Sequence, residues 1–254
     1  MMDYGTRTLF VKEVRRFLRV PGQTLLAPVV TTALYLVVFG LALGGRTHDI
    51  RGVPATDFLL PGLVTLGVAT NAFFNTASSM MIMKMQGTVV DLLVTPLAYW
   101  DIVTAMVGAA TLRAMAVGLL TWTVAIVGGG PLAVTHPFYA LAFPTLTSVA
   151  FSAIGLLAGI WADKFEQVNI VPNFVVTPLV FLGGVFYDIA RLPPTLRWLS
   201  RANPIHFLVE GTRYGFSGTT IVNASLALGV LAMVTVALLG ACALLLRAGW
   251  KLRA

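Results

Sequence analysis

The chain has 254 residues, of which 57% are hydrophobic and 11% are charged. A soluble globular domain carries roughly 25% charged residues, so this composition excludes an ordinary soluble protein and predicts a membrane protein. The 17 Lys and Arg residues outnumber the 10 Asp and Glu residues. In a membrane protein we interpret such an excess as a topology signal and not as a nucleic-acid-binding surface.

The N-terminal residues 1–21 are basic and amphipathic. Four apolar residues follow the spacing of one helical face, namely Phe10, Val14, Phe17 and Leu18. This pattern predicts a helix that lies on the membrane surface, with its cations toward the lipid headgroups, and that ends at the VPGQ stretch. The alternative is a plain basic tail that only sets the topology.

Six stretches have the length and composition of transmembrane helices, since about 20 mainly apolar residues are needed to cross a ~30 Å hydrocarbon core. They are residues 24–43, 58–83, 102–128, 138–162, 167–187 and 219–246. The sequence therefore predicts an all-α membrane protein with six transmembrane helices. An even number of crossings places both termini on the same side of the membrane.

The positive-inside rule selects that side. With the termini in the cytoplasm, the inner cations are Arg7, Lys12, Arg15, Arg16, Arg19, Lys84, Lys164, Arg247, Lys251 and Arg253. The outer cations are Arg46, Arg51, Arg191, Arg197, Arg201 and Arg213. Because the inner set is larger, we expect cytoplasmic termini.

Polar residues inside the predicted spans are candidate functional residues. Arg113 lies about 22 Å from the outer end of its span at ~1.5 Å per residue. We expect it to snorkel to the inner interface or to contact another helix, and a substrate site is the alternative. Four asparagines form two pairs one turn apart: Asn71 with Asn75, and Asn169 with Asn173. For them, interhelical hydrogen bonding and the lining of a substrate path both remain open.

Motifs for ATP and metal binding are absent from the sequence. A P-loop requires Gly-Lys before Ser or Thr, whereas the four lysines follow Val, Met, Asp and Trp. The three histidines are scattered without an HExxH pattern. We therefore expect no cofactor or metal in this chain and no enzymatic activity of its own.

Residues 84–98 form a predicted cytoplasmic loop between the second and third spans. Residues 89–94 favour a short helix with Asp91 exposed, and Thr95-Pro96 ends it. The loop is unusually apolar, which is typical of a surface that meets a partner. A helix lying on the bilayer is the alternative.

Residues 188–218 form a predicted outer segment before the sixth span. Pro194 suits a helix start, and Asn203-Pro204 ends that helix. A second short helix then carries Glu210 and Arg213 at positions i and i+3, where the two charges could pair. The segment is too polar to span and too apolar for a free loop, so we predict a re-entrant helical hairpin in the outer leaflet.

These two segments carry a resemblance to a known family. FLGGVFYDIARLPPTLRWLSRANPIHFLVEGTRYGFSG, residues 181–218, resembles the signature region of ABC-2 type transporter permeases. QGTVVDLLVTPLAYWDIVTA, residues 86–105, resembles their coupling segment. The order of elements is also similar to that family's, over essentially the whole chain.

The resemblance implies a single permease domain, residues 1–254, in a bacterial inner membrane. It implies a homodimer with a separate ATP-binding cassette ATPase that binds ATP and Mg²⁺, and export of a hydrophobic or lipid-linked substrate from the cytoplasm or inner leaflet. The matches to the coupling segment are Gln86, Gly87, Thr88, Asp91, Leu93 and Pro96. The matches to the outer hairpin near the exit are Pro194, Asn203, Pro204, Glu210 and Arg213. A membrane-embedded enzyme or assembly scaffold is the alternative function.

Overall fold

The computed structural model describes residues 4–44, 50–127 and 134–252. Within these residues the chain is helical, with one isolated β-bridge and no strand. The α-helices are α1 (Tyr4–Leu18), α2 (Ala27–Gly44), α3 (Ala55–Met85), α4 (Val89–Val94), α5 (Tyr99–Val127), α6 (Pro137–Trp161), α7 (Phe165–Val168), α8 (Thr177–Leu182), α9 (Pro194–Ala202), α10 (Pro204–Ser217) and α11 (Ala224–Ala248). The predicted all-α class is confirmed. Arg46, His48 and Arg253 lie outside the described residues.

Five helices in the described part of the chain are long and apolar enough to cross a membrane. They are Ala55–Met85, Tyr99–Val127, Pro137–Trp161, Phe165–Leu182 and Ala224–Ala248. These five coincide with the last five predicted spans. The first predicted span, 24–43, corresponds to a π-helical turn, Gly22–Leu26, followed by α2, and this helix is not one of the five.

α3 is the central helix of the fold. In its most apolar window 78% of the residues are buried, against 22% for Phe165–Leu182 and for α11, which therefore lie at the periphery. α3 packs most extensively on α6 and α5. A Cβ atom at Gly155 of α6 would lie 2.3 Å from the Phe73 carbonyl oxygen of α3, so only glycine allows this approach.

The fifth predicted span, 167–187, is interrupted and shorter than predicted. Proline lacks an N–H group, and after Pro172 the chain forms a π-helical turn in which the Thr177 N–H donates to the Pro172 carbonyl. The helix then ends at Leu182 because Gly183 follows and Gly184 adopts a φ of 78°. The apolar run to residue 187 is therefore a turn in its last part.

The sixth predicted span begins later than predicted. Gly218 ends α10 with a φ of 71°, and residues 219–223 form a connection. α11 then starts at Ala224, where Asn223 accepts a hydrogen bond from the Leu226 N–H as an N-cap. Residues 219–222 therefore belong to the connection and not to the helix.

The helices define two ends of the molecule. The α4 end contains α1, α4, the α6–α7 connection and the last residues after α11. The α10 end contains the turn at 50–53, the segment 183–192, α9, α10 and the connection before α11. α3 runs from the α10 end to the α4 end, and its Phe58 and Asn75 are about 26 Å apart along the axis.

Candidate functional site

α4 is a single short helix held between two tight turns. Gly87 precedes it with a φ of 71°, a left-handed conformation that favours glycine. No atom lies within 4 Å of the position that a Cβ atom would occupy there. At the other end, the Thr95 hydroxyl donates to the Leu92 carbonyl at 2.6 Å, and Pro96 prevents continuation of the helix.

The surface of α4 is apolar and largely exposed. Val90 and Val94 are 48% and 79% exposed, and Asp91 is exposed between them. Val89 is buried and anchors the helix, and Leu93 is half-buried. Of the other predicted coupling residues, Gln86, Gly87, Thr88 and Pro96 are all exposed.

A groove of about 640 Å³ separates this segment from α1. Its lining includes Leu9 and Lys12 from α1, and Thr88, Leu92 and Pro96 from the predicted coupling segment. The N-terminal helix and the predicted coupling segment thus form one continuous surface at the α4 end.

α1 packs against the other helices through a partly polar face. Its buried residues are Thr6, Leu9, Glu13 and Phe17, whereas Leu18 is exposed. Burial of Glu13 is possible because Arg16 contacts its carboxylate at 3.0 Å and the Ser79 hydroxyl of α3 donates to it at 2.7 Å. The polar contacts, and not apolar residues alone, therefore determine how α1 docks.

Arg16 and Arg113 meet on α3. Arg16 donates to both the backbone and the side-chain oxygen of Asn75 at 2.8 Å. Arg113 of α5 donates to the Asn75 side-chain oxygen at 3.4 Å and to that of Asn71 at 3.2 Å. The interhelical contact expected for Arg113 is thus present. We call Glu13, Arg16, Asn71, Asn75 and Arg113 the inner polar cluster.

Asn169 and Asn173 are far less enclosed. Both are exposed on the peripheral helix Phe165–Leu182, and neither side chain hydrogen-bonds to another described residue. The two asparagine pairs therefore occupy different environments, one in the inner polar cluster and one on an outward face.

Lysines join three chain segments at the α4 end. Lys84 donates to the carbonyls of Ile160 and Ala162 at 3.0 and 2.5 Å. Lys251 donates to the Asp163 carboxylate at 2.7 Å. This hydrogen bond lowers the pKa of the Asp163 carboxyl below its ordinary value, and the charges of Lys251 and Lys84 act in the same direction.

Asn203 fixes the junction between α9 and α10. Its side-chain oxygen accepts from the Ile205 N–H at 2.9 Å, which caps α10, and its amide donates to the Leu179 carbonyl of α8. Pro194 stands in the first turn of α9, as predicted, and Pro204, predicted to end the first helix, stands in the first turn of α10. The two helices are therefore held against α8 at a defined angle.

Four charged side chains meet at the α10 end, and we call Arg51, Asp188, Glu210 and Arg213 the outer charge cluster. Glu210 pairs with Arg213 and accepts from Arg51 at 2.9 Å and from the Ile221 N–H at 3.2 Å. Arg213 also donates to the Gly184 carbonyl at 3.0 Å. The ion pair between Glu210 and Arg213 considered from their spacing is present.

Arg51 bridges both carboxylates of the outer charge cluster, because it also pairs with Asp188. Desolvation raises the pKa of the Asp188 carboxyl, but the hydrogen bond and charge of Arg51 outweigh it and leave the pKa below its ordinary value. The cluster joins the 50–53 turn, the segment 183–192 and α10 into one unit.

Several members of these clusters were not predicted. Glu13 is on a helix whose charges were expected to face headgroups, and Arg51 and Asp188 are in loops with no periodicity. Long-range contacts such as Arg51 with Glu210 have no local sequence signal.

The chain is similar to known membrane transport proteins. The family model for the ABC-2 type transporter matches residues 4–217. The chain is 39% identical over 247 residues to "Inner membrane transport permease YadH" of Escherichia coli (strain K12), which covers 97% of this chain and 96% of that protein. It is 28% identical over 217 residues to "Nodulation protein J" of Rhizobium leguminosarum bv. viciae, which covers 84% of this chain and 82% of that protein.

The predicted resemblance is therefore confirmed over most of the chain, and it accounts for the several apolar helices and for the amphipathic helix before them. A membrane domain of this family works with a partner ATP-binding subunit. The chain belongs to the ABC-2 type transporter family.

Proposed function

We propose that this chain is the membrane subunit of an exporter that moves a hydrophobic or lipid-linked substrate out of the cytoplasm or inner leaflet, driven by a separate ATPase. The observation that carries the proposal is the surface of α4. Val90 and Val94 are exposed at the end of two long helices, and no described part of the chain covers them. An apolar surface outside the membrane-crossing helices is typical of a docking site.

The coupling surface consists of α4 and the turn before it. Gly87, with no intramolecular neighbour at its Cβ position, leaves its backbone open to a partner. The groove beside α1 extends this surface, so that movement of α4 is transmitted to α1 and to α3 through Val89 and Leu9. ATP and Mg²⁺ bind to the partner subunit and not to this chain.

The chain crosses the membrane six times, with the α4 end in the cytoplasm. α2 supplies the additional crossing, because it leads from α1 at the α4 end toward Arg51 at the α10 end. The α4 end carries the larger number of cations, as the positive-inside rule requires of a cytoplasmic face. Since a relative is named as an inner membrane permease, we place this chain in a bacterial inner membrane.

Two copies of the chain form the transport path between them. Asn169 and Asn173 are exposed on a membrane helix, where contact with lipid leaves an amide without hydrogen-bond partners. A second copy or a polar substrate group provides such partners. Asn71 and Asn75 are at the inner end, where the inner polar cluster lies beside the entrance to this path.

The re-entrant hairpin, residues 188–218, borders the exit. Asn203, Pro194 and Pro204 set its bend, while Glu210 and Arg213 attach it to the rest of the α10 end. A hairpin with this attachment moves as a unit when the helices rearrange, and so it is suited to gating.

Site-specific photo-crosslinking tests this proposal. A photoreactive amino acid is placed at Val94 in α4, and the matched control is placed at Val127, which is 84% exposed at the opposite end of α5. Both variants are expressed with the ATP-binding subunit encoded beside this chain. We expect a crosslink to the ATPase from Val94 and none from Val127.

A crosslink from Val127 alone would invert the proposed topology. If neither position gives a crosslink although both proteins are present in the membrane, the transport assignment would be overturned. That result would favour an enzyme or assembly scaffold that works without an ATPase.

A further inference from the structure

A cavity with a mainly apolar lining and two arginines lies at the α10 end, outside the outer charge cluster. It has a volume of about 290 Å³. It is lined by the 189–190 turn, by Arg197 and Arg201 of α9, by His206 and Phe207 of α10 and by residues 221–222. No acidic residue lines it. We propose that this cavity binds a phosphate group, namely that of an outer-leaflet phospholipid headgroup.

The charge of the cavity is not compensated by nearby carboxylates. Asp188 and Glu210 are the carboxylates closest along the chain, and both are paired with Arg51. Glu210 also pairs with Arg213, so two arginines already balance these two acids. Arg197 and Arg201 form no ion pair with any described residue and therefore leave positive charge at the cavity.

Arg197 is oriented without being neutralised. Its guanidinium donates to the carbonyls of Ala190 and Leu192 at 2.7 and 2.9 Å. Its Nε atom is buried and has no hydrogen-bond partner. A fixed guanidinium with an unused donor is suited to an oxyanion, since arginine binds phosphate oxygens with several N–H groups in a rigid fork.

His206 supplies a second unused group on the cavity wall. The ring is only 1% exposed, and neither ring nitrogen forms a hydrogen bond; the Gly183 carbonyl is nearby but outside hydrogen-bonding geometry. His206 lines the cavity, and a ligand bound there could satisfy its buried ring nitrogens, since buried polar atoms almost always have partners. A phosphate oxygen provides an acceptor for a ring N–H.

The opposite side of α9 indicates a lipid source for the phosphate. Trp198 and Leu199 are exposed at 72% and 45%. Trp residues concentrate at the membrane–water interface, so these side chains place α9 at the depth of the headgroups. Arg201, one turn after Arg197, is exposed and lines the cavity, so an entering headgroup can contact it.

Thermal melting of the purified protein in an uncharged detergent tests the site. The lipid probe is dioleoyl phosphatidic acid, and dioleoylglycerol, which has the same chains without phosphate, is its control. Inorganic phosphate against chloride at equal ionic strength separates free phosphate from a lipid. The variants are Arg201→Gln and, as a control on the same segment, Arg191→Gln, which is exposed and outside the cavity.

We expect phosphatidic acid at ten times its Kd to raise the Tm of the wild-type protein by about 3–6 °C, with no such effect of dioleoylglycerol. Arg201→Gln raises the apparent Kd about tenfold, and Arg191→Gln leaves it unchanged. If inorganic phosphate alone gives the shift with the same dependence on Arg201, the site exists but takes free phosphate, and the lipid assignment is wrong. If phosphatidic acid shifts the Tm of the wild-type protein, Arg201→Gln and Arg191→Gln equally, or shifts none of them, the proposed phosphate site would be overturned.

This inference does not require the ATPase. Failure of the crosslink at Val94 would leave lipid binding in detergent untouched, so the two proposals are tested separately.

Discussion

Glu210 and Arg213 form an ion pair within one turn of α10, and only 1% and 0% of their surfaces are exposed. The Arg213 guanidinium also lies 3.8 Å from the centroid of the Phe58 ring, which connects the pair to α3. Arg51 provides a second positive charge to the Glu210 carboxylate. Arg51 also pairs with Asp188, so a substitution at Glu210 leaves the buried Arg213 as the arginine without a carboxylate partner.

We expect Glu210→Gln to lower the free energy of unfolding by about 3–5 kcal/mol, because removal of one member of a buried pair exposes the other to an uncompensated desolvation cost. Thermal melting in detergent measures the loss. Glu166→Gln is the matched control, since Glu166 is exposed and forms no ion pair with the described residues. Equal melting temperatures for Glu210→Gln and the wild-type protein would show that the cluster does not stabilise the fold.

Asn203→Leu is expected to cost about 2 kcal/mol of stability, the sum of a lost helix cap and a lost hydrogen bond to the Leu179 carbonyl, each worth roughly 1 kcal/mol. Asn223→Leu removes only a cap, that of α11, and should cost about half as much. The same melting assay distinguishes them. We also expect Asn203→Leu to impair export, and unchanged transport with unchanged melting would contradict the proposed role of the hairpin bend.

Asn75 accepts hydrogen bonds from two arginines, whereas Asn71 accepts from one. Asn75→Leu should therefore destabilise the protein by about 3–5 kcal/mol and Asn71→Leu by about 2 kcal/mol, since each hydrogen bond to a charged group contributes roughly 1.5–3 kcal/mol. Denaturation of both variants under the same conditions gives the comparison. If the Asn71 variant is the less stable of the two, α1 is not held by the inner polar cluster as described.

Asn173→Cys tests the proposed homodimer. The residue lies on the exposed face of Phe165–Leu182, and the native Cys242 is buried and does not interfere. We expect mild oxidation in membranes to give a disulfide-linked dimer from Asn173→Cys. The control is Val236→Cys, which is exposed on α11. A dimer from the control alone would assign the interface to α11.

The positions of the helices follow from the sequence because each membrane crossing requires a long apolar run, which is a local property. Five runs and their helices agree closely, as for residues 138–162 and α6 (Pro137–Trp161). The ends were less accurate where backbone chemistry overrides hydropathy. Gly183 and Gly184 end a helix inside an apolar run, and Asn223 starts one after an apolar connection.

The candidate sites were predicted unevenly for a similar reason. The spacing of Glu210 and Arg213 indicated their pair, because both residues are on one helix. The partners Arg51 and Asp188 are more than a hundred residues apart, and only the packing of the helices brings them together. Gly155 and Gly159 are four residues apart in α6, and both lie against α3, a contact that was not predicted from the sequence.

In the proposed complex, α4 and the turn at Gly87 contact the ATPase. Any other residue at position 87 is destabilising to a similar degree, because the backbone there has a positive φ. A larger side chain causes no additional clash within the chain, since the space around the Cβ position is open. Gly87→Ala and Gly87→Leu should therefore melt at similar temperatures. A difference between them in coupled function must then come from a partner that approaches this backbone.

The measurement that tests this most directly is ATP hydrolysis in liposomes that contain this protein with its neighbouring ATP-binding subunit. We expect the protein to change the rate of hydrolysis, Gly87→Ala to retain most of that change, and Gly87→Leu to lose it while the chain stays folded. If the complex with Gly87→Leu hydrolyses ATP at the same rate as the wild-type complex, the proposed contact between the Gly87 turn and the ATPase would be contradicted.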